Sequence, residues 1–216
     1  MNMGRRIFLK GAAAAGLTRL AGSSLLAITT ASAVPSLVLA STDDTQYDPN
    51  PSRTGSRLDA LVPFIDPMLE VHNPHTSDRI RVRFFTGAGY DMGAVQQLNH
   101  IWRDWRQDAQ PQIDPRLFWA MAAVRTSAMK DGHDGVVTLL SGYRTQATTD
   151  YLRSRGVNAS RNSQHMRACA MDFTLHDVPA TKVAGFVEWL QVGGTGYYPN
   201  NNFTHADTGS IRQWRG

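Results

Sequence analysis

Residues 163–175 read Ser163-Gln164-His165-Met166-Arg167-Ala168-Cys169-Ala170-Met171-Asp172-Phe173-Thr174-Leu175. The spacing predicts a strand over Ala168–Leu175. Side chains alternate across a strand, so Ala168, Ala170, Asp172 and Thr174 share one face, and Cys169, Met171, Phe173 and Leu175 share the other. The second face is apolar and reads as core. The first carries very small residues leading to a carboxylate, which leaves room for something to approach. A later strand is predicted over Phe203–Asp207, where period two puts His205 and Asp207 on one face. If the two strands pair, Asp172 and His205 meet, and His165 comes down from the preceding loop. Taken singly, each of the seven histidines is more often a surface or satisfied residue than a ligand. These two stand out by context. Two imidazoles and one carboxylate form a normal catalytic zinc set with a fourth position open. The helical H-E-x-x-H pattern of many zinc proteases is absent.

The rest of the chain supplies a frame for that pair. Met68–Val71 and Arg79–Phe85 predict a hairpin, with Ile80, Val82 and Phe84 alternating against Arg79, Arg81 and Arg83. Val95, Leu98, Ile101, Trp102 and Trp105 have helical spacing over Met92–Asp108. Asp114-Pro115 is a cap and first-turn pair for a second helix bearing Leu117, Met121, Val124 and Ala128. A short strand (Val136–Leu140), a helix near Thr145–Arg155 ending at Gly156, and a helix carrying Val183–Leu190 stopped by Gly193-Gly194 follow. Gly196–Tyr198 is one more strand. The whole reads as an α+β domain on a small, mainly antiparallel sheet flanked by helices.

The N-terminus belongs to targeting. Met1–Lys10, MNMGRRIFLK, followed by an apolar small-residue run, reads as an export signal over residues 1–40. Its paired Arg5-Arg6 resembles the twin-arginine signature, which makes the export machinery an expected partner. Residues 41–60 are polar and aperiodic and read as a flexible linker, leaving 61–216 as the folded domain. Of 22 lysines and arginines, Arg5, Arg6, Lys10 and Arg19 lie in the signal, which holds no acid, so the remaining bases balance the 18 acids. A nucleic-acid partner would need a basic field on the folded domain, and there is none. The signal is not a stable membrane span of the mature protein. Cys169 is the single cysteine. It excludes an internal disulfide and a cysteine-based zinc site, and it reads as a small buried apolar residue.

Ser141-Gly142-Tyr143-Arg144-Thr145, Ser163-x-His165 with Asp172, and Phe203-x-His205-x-Asp207-x-Gly209, in that order, resemble the LAS-type metallopeptidases. That group includes D-Ala-D-Ala carboxypeptidases, dipeptidases, lysostaphin-like enzymes and the zinc domain of hedgehog proteins. Gly193-Gly194-x-Gly196-Tyr197-Tyr198-Pro199 and Thr204–Trp214 look like its murein endopeptidase K branch. The resemblance covers roughly residues 65–216. It implies zinc held by His165, Asp172 and His205, and an Arg144 that meets substrate or a developing oxyanion. Ser163 and Gln164 would orient ligands. It also implies a peptidoglycan endopeptidase of the periplasm or cell envelope acting on stem peptides or cross-links.

Two departures qualify it. Relatives often carry Gly at the position of Ala168, so the backbone there is expected to avoid a conformation suited to Gly. Carboxypeptidase-like branches place an acidic base at the position of Asn202, which cannot accept a proton. Asp207 is then the nearest acidic candidate, either as catalytic base or as a partner that orients His205. A non-catalytic zinc-containing binding module is the alternative to the enzyme, and a carboxypeptidase or dipeptidase is a third reading.

Overall fold

The structure is a computed structural model and describes residues 56–216. The signal segment 1–40 and most of the stretch read as linker lie outside the described residues. Helix α1 (Arg57–Leu61) begins inside that stretch. The Ser56 side chain accepts from the Asp59 amide and the Asp59 carboxylate accepts from the Ser56 amide, a reciprocal cap. Leu58 is fully buried. The domain therefore starts before residue 61. Among the described residues no helix is long and apolar enough to cross a membrane.

The elements that follow are β1 (Met68–His72), β2 (Arg79–Arg83), a two-stranded ribbon of β3 (Phe85–Thr86) and β4 (Gly89–Tyr90), helices α2 (Met92–Ile101) and α3 (Pro115–Lys130), β5 (Val137–Ser141), α4 (Gln146–Ser154), β6 (Ala170–Leu175), α5 (Ala180–Leu190), β7 (Gly194–Tyr198), β8 (Phe203–Asp207) and β9 (Arg212–Arg215). Seven strands form one sheet in the order β2-β1-β5-β6-β8-β7-β9. The pairs β1–β5 and β7–β9 are parallel and the other four are antiparallel. The sheet is thus larger and more mixed than the small, mainly antiparallel one expected. The parallel β1–β5 pair is made by a crossover through α2 and α3, and such remote pairing leaves no periodic trace in sequence.

Helix α3 follows the Asp114 cap, whose side chain accepts from the Arg116 amide, with Pro115 in the first turn. It is buried on almost every side, as a helix apolar all round must be. Helix α2 stops at Ile101, short of the predicted Asp108. Asp104 forms a backbone bridge to Ala109, and its buried carboxylate accepts from the amides of Arg106 and Thr145. A continuing helix would break all of these, so Trp105 is left 37% exposed rather than in the core. Helix α5 ends earlier than the Gly193-Gly194 stop, at Gln191 in the left-handed region, which frees Gly194 to begin β7.

The two faces of the sheet are unlike. Met171, Phe173, Leu175 and Ala206 pack with Val183, Val187 and Leu190 in the core. The Thr204 hydroxyl donates to the Ala180 carbonyl, so this face meets α5. By alternation Asp172, His205 and Asp207 project from the opposite face.

Candidate metal centre

Pairing of β6 with β8 sets Asp172 directly opposite His205 and Ala170 opposite Asp207. His165 arrives from a 3-10 turn, Gln164–Arg167, capped by the Ser163 side chain, which accepts from the His165 amide. One ligand atom from each of His165, Asp172 and His205 lies within 4.8 Å of the others. Ser163 shapes the turn rather than touching an imidazole. Gln164 holds Cys169, whose thiol donates to its side-chain carbonyl at 3.1 Å. Cys169 is accordingly half-buried and hydrogen-bonded, not the apolar core residue expected.

Ala168 closes the turn in the left-handed region, φ 56 and ψ 30, contrary to the expectation that alanine would exclude it. Left-handed backbone costs a non-glycine residue about 1–2 kcal/mol. Here the carbonyl of Ala168 accepts from Asp114 and its amide donates back to His165, so the turn is held from both sides.

The hydrogen bonds fix which ring nitrogens are free. His165 Nδ1 lies 2.6 Å from the Gly142 carbonyl, which can only accept, so Nδ1 carries the hydrogen and Nε2 is bare. His205 Nε2 lies 3.0 Å from Asp207 Oδ2. The Asp207 carboxylate also takes Arg212 Nη2 at 2.6 Å and the amides of Gly194 and Gly209 at 2.9 and 2.7 Å. Burial works against its charge, but the hydrogen bonds from His205 and Arg212 outweigh it and hold the group at about 2. As an acceptor only, Asp207 directs His205 Nε2–H toward itself and leaves Nδ1 bare. The two bare nitrogens face each other at 3.3 Å, with Asp172 Oδ1 2.8 Å from His205 Nδ1 and Oδ2 3.3 Å from His165 Nε2.

Electron pairs converging from three side chains repel unless a cation lies between them. Burial opposes a charge on His205, yet its bonds to Asp172 and Asp207 raise it to about 9, so that in place of a metal a proton on Nδ1 would meet Asp172. Burial lowers His165, with only partial opposition from Asp172. Burial also works against the Asp172 charge, but His165 and His205 pull it well below the usual carboxylate range. The cluster attracts one more positive charge, and its donor set fits a metal ion.

Arg144 stands at the rim. Its Nη2 is 3.8 Å from Asp172 Oδ2, its side chain is 12% exposed, and its buried Nε has no partner among the described residues. Asp207 lies behind His205 with its side chain fully enclosed. Asn202 lies in the turn before β8, in the left-handed region at φ 49, and its side-chain carbonyl accepts from the Ala180 amide at the start of α5. The side chain at the position where carboxypeptidase-like branches place an acidic base is thus turned to α5.

Sequence reasoning missed the residues that close the site from β9. Arg212 crosses Gly194 to reach Asp207, and Trp214 crosses Gly196 to lie 5.0 Å from the His205 ring. A Cβ at Gly196 would meet the Trp214 ring at 2.6 Å. Two glycines on one strand face opposite His205 and Asp207 were the available signal.

The family described as Peptidoglycan L,D-endopeptidase MepK matches residues 66–214. Peptidoglycan L,D-endopeptidase MepK of Escherichia coli (strain K12) is 35% identical over 147 residues, covering 68% of this chain and 79% of that protein. Probable peptidoglycan L,D-endopeptidase MepK of Haemophilus influenzae is 32% identical over 149 residues, covering 69% and 79%. No solved structure matches the chain. The matched stretch holds His165, Asp172 and His205, the sheet that aligns them and the Arg144 beside them; the chain belongs to the peptidoglycan L,D-endopeptidase MepK family of LAS-type metallopeptidases.

Proposed function

We propose that this chain is a zinc-dependent endopeptidase of the cell envelope that hydrolyses a peptide bond in peptidoglycan stem peptides or cross-links, at a junction of L and D centres as in the names of its relatives. The observation that carries the reading is the convergence of His165 Nε2, His205 Nδ1 and the Asp172 carboxylate, with both tautomers fixed from behind. Zinc is the metal that best suits two imidazoles and a carboxylate, and bound there it would supply Lewis acidity toward a carbonyl and toward water.

The protein's own groups do the rest. Gly142 and Asp207 keep the two rings in register. Arg144 places a fixed positive charge where negative charge develops on a carbonyl oxygen during acyl transfer. Asp207, enclosed by four donors, orients His205 and is poorly placed to carry protons to a substrate. Asn202 supported the binding-module alternative, and an acid at that position would have supported a carboxypeptidase or dipeptidase. Its side chain serves α5 instead, so its identity does not weigh against catalysis. Export through the twin-arginine route is our reading of Arg5-Arg6 and the apolar run behind it, and it brings the enzyme to its polymer.

The test is digestion of purified sacculi, with a chelator and with zinc added back, followed by separation of released muropeptides. Digestion should stop with the chelator and return with zinc. His165→Ala and His205→Ala should each lose tight zinc binding and digestion together. Full zinc occupancy in the double variant would remove the assignment.

A further inference from the structure

Tyr198 is the last residue of β7 and shares a face with Gly196 and, across the strand pair, with Phe203 and His205. Its ring is stacked on Phe203 at 4.3 Å and 10°, which fixes its direction. Trp214, lying across Gly196 against the His205 ring, donates its indole N–H to the Tyr198 hydroxyl at 2.9 Å. Trp214 has no acceptor to offer, so the hydroxyl's own hydrogen remains to be given elsewhere. Among the described residues no hydrogen bond uses it. Arg144 also feels the Tyr198 phenol, whose ionised form would raise the guanidinium's pKa. Arg144 brings a second set of donors to this place, its Nη2 lying 3.8 Å from Asp172 Oδ2. Two donors held by the fold, beside a carboxylate that fits a metal, call for an oxygen brought by the substrate.

We propose that the Tyr198 hydroxyl is a hydrogen-bond donor, alongside Arg144, to the carbonyl oxygen of the peptide bond being cut, and that Trp214 is the positioning residue that aims it. The assignment rests on the endopeptidase reading. It is a donor role only; the hydroxyl keeps its proton through the reaction. Donors of this kind act on charge that develops in the transition state, so their loss appears in kcat more than in KM.

The experiment measures kcat, KM and zinc content on a defined cross-linked muropeptide for the full zinc-loaded chain. Tyr198→Phe keeps the stack on Phe203 and removes only the hydroxyl. It should lose on the order of a hundredfold in kcat, with KM and zinc content unchanged. Trp214→Phe keeps a ring across Gly196 and removes the N–H. It should lose about tenfold, the scale of one hydrogen bond. The double variant should be no slower than Tyr198→Phe, because Trp214 acts through that hydroxyl. Wild-type kcat in Tyr198→Phe, a loss confined to KM, a loss that tracks missing zinc, or additive effects in the double variant would overturn the assignment. Arg144→Ala serves as the comparator. A zinc-loaded wild-type chain that releases no muropeptide removes the endopeptidase reading and this one with it.

Discussion

Asp207 shows what a single residue can and cannot reveal. Its place beside His205 follows from the period of the strand, but that period does not say what lies behind the ring. The structure fills the space with Arg212 and the amides of Gly194 and Gly209. Asp207→Asn should therefore weaken zinc affinity roughly 10–100-fold, the scale for removing a group that orients a metal-bound histidine. Digestion should return at excess zinc with kcat near wild type. Zinc titration and turnover on the same variant check this; unchanged affinity with lost kcat would make Asp207 the proton carrier instead. The meeting of Asp172 and His205 was legible, because alternation put them on the same face of neighbouring strands. Ala168 was misread for a physical reason: the left-handed penalty is small, and two backbone hydrogen bonds exceed it.

Strand β7 is the element on which the site's geometry turns. Gly194 and Gly196 leave its outer face bare, so the side chains of β9 pass over it to their partners on β8. A Cβ at Gly194 would meet Arg212 Nη1 and Asp207 Oδ2 at 2.6 Å each. Gly194→Ala should expel Arg212 from Asp207 and weaken zinc binding about as much as Asp207→Asn, while far-ultraviolet circular dichroism stays native. Unaltered zinc affinity in that variant would separate the arginine from the metal site. Strand β9 was not foreseen, since Arg212-Gln213-Trp214-Arg215 lacks apolar alternation and an edge strand does not need it. The early end of α2 was equally hidden, because a buried Asp104 with long-range donors looks in sequence like any polar helix position.

At the scale of the molecule, the link between α2 and α3 reaches the site by an indirect route. Asp104 accepts from the amide and hydroxyl of Thr145, the residue after Arg144 and the cap of α4. Burial works against its charge, and the hydrogen bonds outweigh it, so its carboxyl sits below the ordinary aspartate range. A lowered carboxylate stabilises the fold above its unfolded pKa, about 3.9, and that contribution fades as pH falls through the folded value. Asp104→Asn should cost about 2 kcal/mol at neutral pH, the scale of hydrogen bonds to a buried charge. The gap to wild type should narrow below about pH 4, as followed by denaturant unfolding at both pH values. A gap that does not change with pH would show that the charge is immaterial. The α+β class was legible from interleaved helical and strand spacing, whereas the seven-strand order was not, since it depends on which distant edges meet. Strand β9 pairs with one neighbour only, in parallel, at the margin of the sheet. Edges of this kind open before cores do. Lifting β9 would take Arg212 from Asp207 and Trp214 from Tyr198, so catalytic competence would be forfeited while the body of the protein still stands.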